Sequence, residues 1–311
     1  MRIAVFGAGG VGGYFGGRLA QAGEEVIFIA RGNHLKAIRD HGLIVESIKG
    51  DFIIKPATAT GDPRQAGKVD GVLLGVKAWQ VEESARLMQP MIHSGTFVVP
   101  LQNGVTAPLK LAGILGKEHV LAGLCQISAM IAEPGRIRHV GIEPYIAFGE
   151  LDNQRSERIK HLLQIFSRAG VKAEIPIDML LALWEKYLFI APISGIGAIT
   201  RAPAHISRSI PGTRQLIESM MGEVVAVARS RHVNLTAEDI QRRMAFIDGL
   251  PPSVIASMQR DLLEGRPSEL DDLIGALVQM GDEAGIPTTI ASMIYYCLLP
   301  QEKRARKEIT F

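Results

Sequence analysis

Short apolar, β-branched runs open the chain and recur along its first third: Ile3 to Phe6, Glu25 to Ile29, Gly71 to Val76 and Thr96 to Pro100, with longer mixed segments between them. Strand-length runs separated by helix-length stretches predict βαβ units and a parallel sheet. The rhythm changes after Val120. Three strand-like pieces follow closely, Val120 to Ile131, Arg136 to His139 and Tyr145 to Phe148, with the turn Glu133-Pro-Gly135 joining the first two. They predict an antiparallel extension of the same sheet. Ser156 to Ala169 has amphipathic helical spacing that stops at Gly170, leaving Val171 to Ile175 as a last edge strand.

From Asp178 onward the pattern is helical. Asp178 suits the N-cap of a helix over Met179 to Ile193. Further starts fall at Thr236, with Asp239 three residues on, at Ser253 behind Pro251-Pro252, at Ser268 and at Pro287, with stops at Gly249, Gly265 and Gly285. The expected organisation is an α/β domain over residues 1–177 and an all-α domain over residues 178–311. The stretches Leu188 to Ile199 and Ile286 to Leu299 fall short of the roughly 20 residues of a spanning helix. Pro192, Gly195, Gly197 and Pro287 interrupt them, so they read as core helices and no membrane partner is expected. The second is as open to a homodimer contact as to core packing.

Composition narrows the class. With 47% hydrophobic residues, 21% charged residues and a formal charge of +2, the chain lacks the basic excess of a nucleic-acid binder. Its two cysteines, Cys125 and Cys297, lie far apart in apolar surroundings, which supports neither a disulfide framework nor a metal site and points to a reducing, cytoplasmic compartment. The strand-like Arg2 to Phe6 directly behind Met1 leaves no room for a signal peptide. The basic tail from Lys303 to Lys307 reads as a solvated end.

The first chemistry is Gly7-Ala8-Gly9-Gly10-Val11-Gly12, a G-x-G-x-x-G spacing between a strand and a segment with helical apolar positions at Val11, Phe15 and Leu19. Gly7 permits the tight turn, Gly9 lets backbone N–H groups approach a pyrophosphate, and Gly12 lets the helix pack on the strand. At the end of the second strand, Ile29-Ala-Arg31-Gly-Asn33 has arginine where an NAD enzyme usually carries an acid for the ribose 2′-hydroxyl. Arginine there suits a 2′-phosphate, so NADP(H) is the expected cofactor; a surface cation is the plainer reading. Lys77 and Asn103 follow the strand runs Gly71 to Val76 and Thr96 to Pro100, at the end where open α/β sheets bind ligands. Taken singly, a strand-end lysine is more often just solvated and an Asn-Gly pair more often just a turn; their shared position is what supports function.

Reduction of a ketone places negative charge on the carbonyl oxygen and needs an acid beside it. In Trp184-Glu-Lys186-Tyr-Leu-Phe-Ile-Ala191, Lys186 stands within an apolar helix, where an ammonium is costly unless a partner or wet cleft receives it. A proton donor and a structural or snorkelling lysine are both consistent with that position. Glu269, in Arg266-Pro-Ser-Glu269-Leu-Asp-Asp272, suits an anchoring carboxylate or merely a helix's first turn.

Together, Gly7 to Gly12, Arg31, Lys77-Ala-Trp, Asn103-Gly, Ile127-Ser-Ala129, Leu183-Trp-Glu-Lys186, Ser257-Met-Gln-Arg-Asp261 and Gly265-Arg-Pro-Ser-Glu269-Leu-Asp271 resemble the ketopantoate (2-dehydropantoate 2-) reductases nearly end to end. The resemblance implies a Rossmann-type dinucleotide-binding domain, a helical domain like that of 6-phosphogluconate dehydrogenase, and NADPH reduction of 2-dehydropantoate to (R)-pantoate. It implies Lys186 as proton donor, Asn103 touching both cofactor and substrate, Ala129 lining the cofactor through its backbone, Ser257 binding substrate and Glu269 binding the cofactor and supporting catalysis. One and two turns after the lysine the family commonly carries asparagines that hold the substrate. Here Ile190 and Ser194 stand there, and Val254 stands where a further asparagine is expected. Ser194 keeps a hydroxyl; Ile190 offers none, which leaves a different small branched 2-oxo acid open as substrate. An NADP-sensing regulator would keep the glycine loop and Arg31 without needing Lys186 and Glu269.

Overall fold

The computed structural model describes residues 1–310. The chain divides into two compact units, Met1–Gln102 with Ala107–Met179, and Asn103–Thr106 with the residues from Leu180 on. In chain order the first contains β1 (Arg2–Phe6), α1 (Gly10–Gln21), β2 (Glu25–Ile29), α2 (Gly32–His41), β3 (Leu43–Ser47), β4 (Phe52–Ile54), β5 (Thr58–Thr60), β6 (Gly71–Leu74), α3 (Val81–Met88), β7 (Phe97–Pro100), α4 (Ala107–Leu115), β8 (Leu121–Gln126), β9 (Ala129–Glu133), β10 (Arg136–His139), β11 (Tyr145–Glu150), α5 (Glu157–Arg168) and β12 (Lys172–Glu174).

Strands β5-β2-β1-β6-β7 form a wholly parallel sheet. Its central strand explains the unbroken apolar runs. Ile3 and Val5 join one core cluster with Phe28, Leu73 and Val99, while Ala4 and Phe6 join another with Ile27, Val72 and Val98. A strand covered on both faces has no polar alternation to show.

The expected antiparallel extension of this sheet is corrected by the structure. Val120 to Ile131 is two strands in two sheets: β8 pairs antiparallel with β11, itself parallel to the edge strand β12, whereas β9 pairs with β10 in the sheet β4-β3-β10-β9. The chain leaves one sheet at Gln126 and enters the other at Ala129. Apolar composition continues across that break, so periodicity alone does not reveal it.

The second unit is helical: α6 (Met179–Thr200, beginning at the unit boundary), α7 (Ala204–Ser209), α8 (Pro211–Ser230), α9 (Ala237–Asp248), α10 (Ser257–Leu263), a π turn (Asp271–Gly275), α11 (Ala276–Ala284) and α12 (Thr289–Ala305). Thr236 caps α9 with Asp239 in a reciprocal box, as the spacing predicts. Two boundaries differ from expectation. No helix opens at Ser253; Val254 instead donates to the Pro251 carbonyl in a turn, and α10 begins at Ser257. Nor does α6 end near Ile193. It runs through Pro192 for 22 residues, because burial of Ala191 to Ala198 outweighs the backbone bond that proline removes. At 22 residues and a mean hydropathy of 1.4, α6 is long and apolar enough to cross a membrane, but 61% of its most apolar window is buried within the protein, as in a core helix.

Candidate functional site

The glycine loop connects β1 to α1 in the first unit. Gly7 has φ of 96°, the left-handed region that favours glycine, and its N–H and that of Ala8 both donate to the Ile29 carbonyl, at 3.1 and 3.3 Å. A methyl at Gly12 would overlap the Gly7 carbonyl, and one at Gly10 would overlap the Ala129 carbonyl. Around a Cβ built on Gly9, by contrast, there is no atom within 4 Å beyond its own chain neighbours. Gly9 is the N-cap of α1 and has no side-chain cap. The loop is thus packed on one side and open where helix N-terminal N–H groups face out, which fits the pyrophosphate of a dinucleotide. Val11, in the first turn of α1, is partly buried against the sheet core.

Arg31 is the N-cap residue of α2 at the end of β2. Its side chain is 64% exposed and lies 3.9 Å from Glu83, a weak surface pairing that leaves it able to turn to another anion. Lys77 follows β6, and its backbone N–H is held by the Gln80 side chain at 3.4 Å. Ala129 opens β9 with its carbonyl against Gly10, which brings this residue to the glycine loop.

Gln102 was not singled out from the sequence. It is buried, donates from Nε2 to the carbonyls of Leu74 at 2.8 Å and Val76 at 2.9 Å, and so ties the ends of the two strands that precede Lys77 and Asn103. Its Oε1 is buried without a partner. The only sequence signal was its place beside Asn103.

In the second unit, Asn103 Nδ2 lies 3.4 Å from Glu269 Oε2, so two predicted residues 166 positions apart meet. Glu269 is buried. Its backbone is fixed by its neighbour: the carboxylate of Glu302, 1% exposed, accepts from Ser268 N–H at 3.0 and 3.1 Å and from Ser268 Oγ–H at 2.5 Å, and Arg306 donates to both Glu302 and the Ser268 carbonyl. Lys186 is half-buried midway along α6. The adjacent Glu185 is engaged by Arg243 of α9 at 3.1 Å. Tyr187, next in sequence, is buried and donates to the Leu273 carbonyl within the π turn that follows Glu269. Burial pushes its phenol above the ordinary value, so it remains a donor.

Ile190 is half-buried one turn on from Lys186. Ser194, two turns on, is 1% exposed and its hydroxyl is buried without a hydrogen-bond partner, an uncompensated polar atom in an apolar helix. Ser257 is exposed in the first turn of α10. A separate hollow of about 220 Å³, lined by Ala198, Arg201, Leu262, Cys297 and Leu298 among others, includes none of the predicted residues.

Residues 3–153 match the family described as "Ketopantoate reductase PanE/ApbA", and residues 178–302 match "Ketopantoate reductase PanE/ApbA C terminal". The chain is 30% identical over 297 residues to an "Uncharacterized oxidoreductase YkpB" of Bacillus subtilis, covering 95% of this chain and 97% of that protein. It is 30% identical over 302 residues to a 2-dehydropantoate 2-reductase of Nostoc sp., covering 96% and 94%. A crystal structure of a PanE/ApbA family ketopantoate reductase from Ralstonia eutropha JMP134 superposes with a TM-score of 0.90 at 32% identity, over 98% of this chain and 100% of that one. The family models span both units and the relatives match along nearly the whole chain, and the chain belongs to the ketopantoate reductase family of dinucleotide-dependent oxidoreductases.

Proposed function

We propose that the protein is an NADPH-dependent reductase of a small 2-oxo acid, with 2-dehydropantoate as its substrate and (R)-pantoate as its product in pantothenate synthesis. The observation that supports this most is the ordered frame around Lys186 and Glu269: Tyr187 bonds the lysine's helix to the turn behind Glu269, and Glu269 meets Asn103. A half-buried cation and a buried carboxylate held on one packed frame are the residue types that reduction of a ketone calls for.

When bound, NADPH supplies the hydride that adds to the C2 carbonyl carbon. The residues of this chain then have distinct tasks. The open N–H groups at Gly9 and Gly10 hold the pyrophosphate, with Ala8, Val11 and Ala129 forming the wall around them, Arg31 takes the 2′-phosphate, and Lys77 and Glu269 hold other polar groups of the dinucleotide. Asn103 and Ser257 orient the substrate. The Lys186 ammonium donates to the carbonyl oxygen and passes it a proton, giving the 2-hydroxy acid and a neutral amine that regains its proton from water.

A second substrate reading is favoured by Ile190. An apolar side chain one turn from the proton donor removes a hydrogen bond worth roughly 1–3 kcal/mol to a hydroxylated substrate. It suits a 2-oxo acid with a branched, apolar tail. Lys186→Ala tests the reaction shared by both readings. Turnover should fall by about 10²- to 10⁴-fold with NADPH affinity retained; unchanged turnover contradicts the assigned role.

A further inference from the structure

His34, in the first turn of α2, is hydrogen-bonded at both ring nitrogens by main-chain groups of two other segments. Its Nε2 lies 2.8 Å from the Ala8 carbonyl, inside the glycine loop, and its Nδ1 lies 3.0 Å from the N–H of Gly135, in the turn between β9 and β10. A backbone N–H can only donate, so Nδ1 must be the acceptor and Nε2 must carry the proton. The neutral ring satisfies both partners. A protonated ring would set a second N–H against that of Gly135.

The Ala8–Gly9 peptide gives this geometry its consequence. In a planar trans peptide the C=O of one residue and the N–H of the next point in opposite directions. Anchoring the Ala8 carbonyl on His34 therefore aims the Gly9 N–H away from His34, and Gly9 is a residue of the loop with open space around its Cβ position. The N-cap of α1 is itself a glycine without side-chain capping, so it is His34 that holds that peptide plane by a side chain. The far end of the contact is firm. Gly135 is buried at φ of 78°, a Cβ on it would lie 2.9 Å from Ala37 of the same helix α2, and its carbonyl accepts from Ile44 of β3 at 2.9 Å.

We propose that His34 is a positioning residue for the dinucleotide: in its neutral form it sets the Ala8–Gly9 peptide so that the loop presents its N–H groups to the pyrophosphate, and protonation, which turns Nδ1 into a donor opposed to the Gly135 N–H, displaces the ring and its hold on that peptide. The proposal rests on dinucleotide binding, a property of the family, and not on the identity of the 2-oxo acid. The direction of the pH effect follows from the surroundings. Burial lowers the ring's proton affinity below the ordinary histidine value, and the bond to the Ala8 carbonyl opposes this in part. The charged groups on the elements around it are Arg31, Lys36, Arg39, Asp40 and His41 on its own helix, and Glu133 and Arg136 flanking Gly135. Glu133 pairs with Arg136 at 3.7 Å, Arg136 with Glu46 of β3 at 2.7 Å, and Arg31 with Glu83 at 3.9 Å. The glycine loop and α1 bring no titratable side chain before Tyr14.

The test is the dissociation constant of NADPH, and of NADH as a control without the titrating 2′-phosphate, measured by fluorescence from pH 8 to pH 5 on the full chain. His34→Gln puts an amide N–H near the position of Nε2 and keeps the donation to Ala8; His34→Asn puts an acceptor near Nδ1 and keeps only the Gly135 bond. The wild type should lose about tenfold in affinity for both dinucleotides as the pH falls below the histidine range. His34→Gln should bind within about threefold of the wild type at pH 8 and lose the pH dependence seen with NADH, and His34→Asn should bind about tenfold more weakly at every pH. Equal affinities for the Asn and Gln variants, or a Gln profile that superposes on the wild type, overturn the proposal. A wild type that binds neither dinucleotide contradicts the cofactor reading itself and the proposal with it.

Discussion

The hydroxyl of Tyr187 donates to the main-chain carbonyl of Leu273, both residues being buried. One end of this bond stands beside Lys186 on α6 and the other lies in the π turn that follows Glu269, so a single side chain keeps the register between the two segments of greatest chemical interest. π turns are rare in helices and concentrate at functional sites.

Replacing Tyr187 by phenylalanine keeps the ring packed at 5.5 Å from Trp184 and removes only the donor. A buried carbonyl left without its partner costs about 1–3 kcal/mol. Urea unfolding should register that loss, and kcat should fall while NADPH affinity holds. A variant as stable and as active as the wild type would mean that the bond supports neither the fold nor the placement of Lys186.

The glycine loop gives two substitutions with opposite outcomes. Gly9→Ala adds a methyl where there is no atom within 4 Å beyond its chain neighbours, so stability should stay within about 0.5 kcal/mol while NADPH binding weakens at least tenfold, because the methyl occupies ligand space. Gly12→Ala drives a methyl into the Gly7 carbonyl and should destabilise the first unit on the scale of core overpacking, about 1–3 kcal/mol or more. Thermal unfolding together with a binding titration separates the two; Gly9→Ala with undiminished affinity would remove the loop from the cofactor site.

Arg31 is exposed and only loosely paired with Glu83, so its removal should hardly affect folding. Charge-assisted hydrogen bonds to a phosphate are worth about 1.5–3 kcal/mol. Arg31→Ala should therefore raise the NADPH dissociation constant by about 10- to 100-fold and leave that of NADH within about twofold. Equal losses for the two dinucleotides would show that Arg31 does not read the 2′-phosphate.

What was legible in the sequence has a physical pattern. The four long strands of the parallel sheet stood out because both their faces are buried, and the glycine loop because its spacing falls between one of them and a helix. β3, β4 and β5 were missed: two of them have three residues each, and Glu46, Ser47, Thr58 and Thr60 give them a polar cast. Local spacing also fails where a contact is long-range. His34 reaches Ala8 across 26 positions and Gly135 across 101, and nothing near His34 in the chain announces either partner. The same holds for Ser268 and Glu302, 34 positions apart, whose bond steadies the backbone at Glu269. Residues 103–106 follow β7 in the chain yet cluster with the helical unit, a grouping that hydrophobic periodicity has no means to express.

The central claim, reduction of a 2-oxo acid, is tested most directly by the loss of NADPH absorbance when the purified protein is mixed with a panel of 2-oxo acids: 2-dehydropantoate, branched acids with apolar tails, and unbranched ones. The account predicts turnover with 2-dehydropantoate or a branched relative at a kcat/KM at least about tenfold above the unbranched members, since one well-placed apolar or polar contact is worth about 1–3 kcal/mol. No oxidation of NADPH with any member of the panel would contradict it.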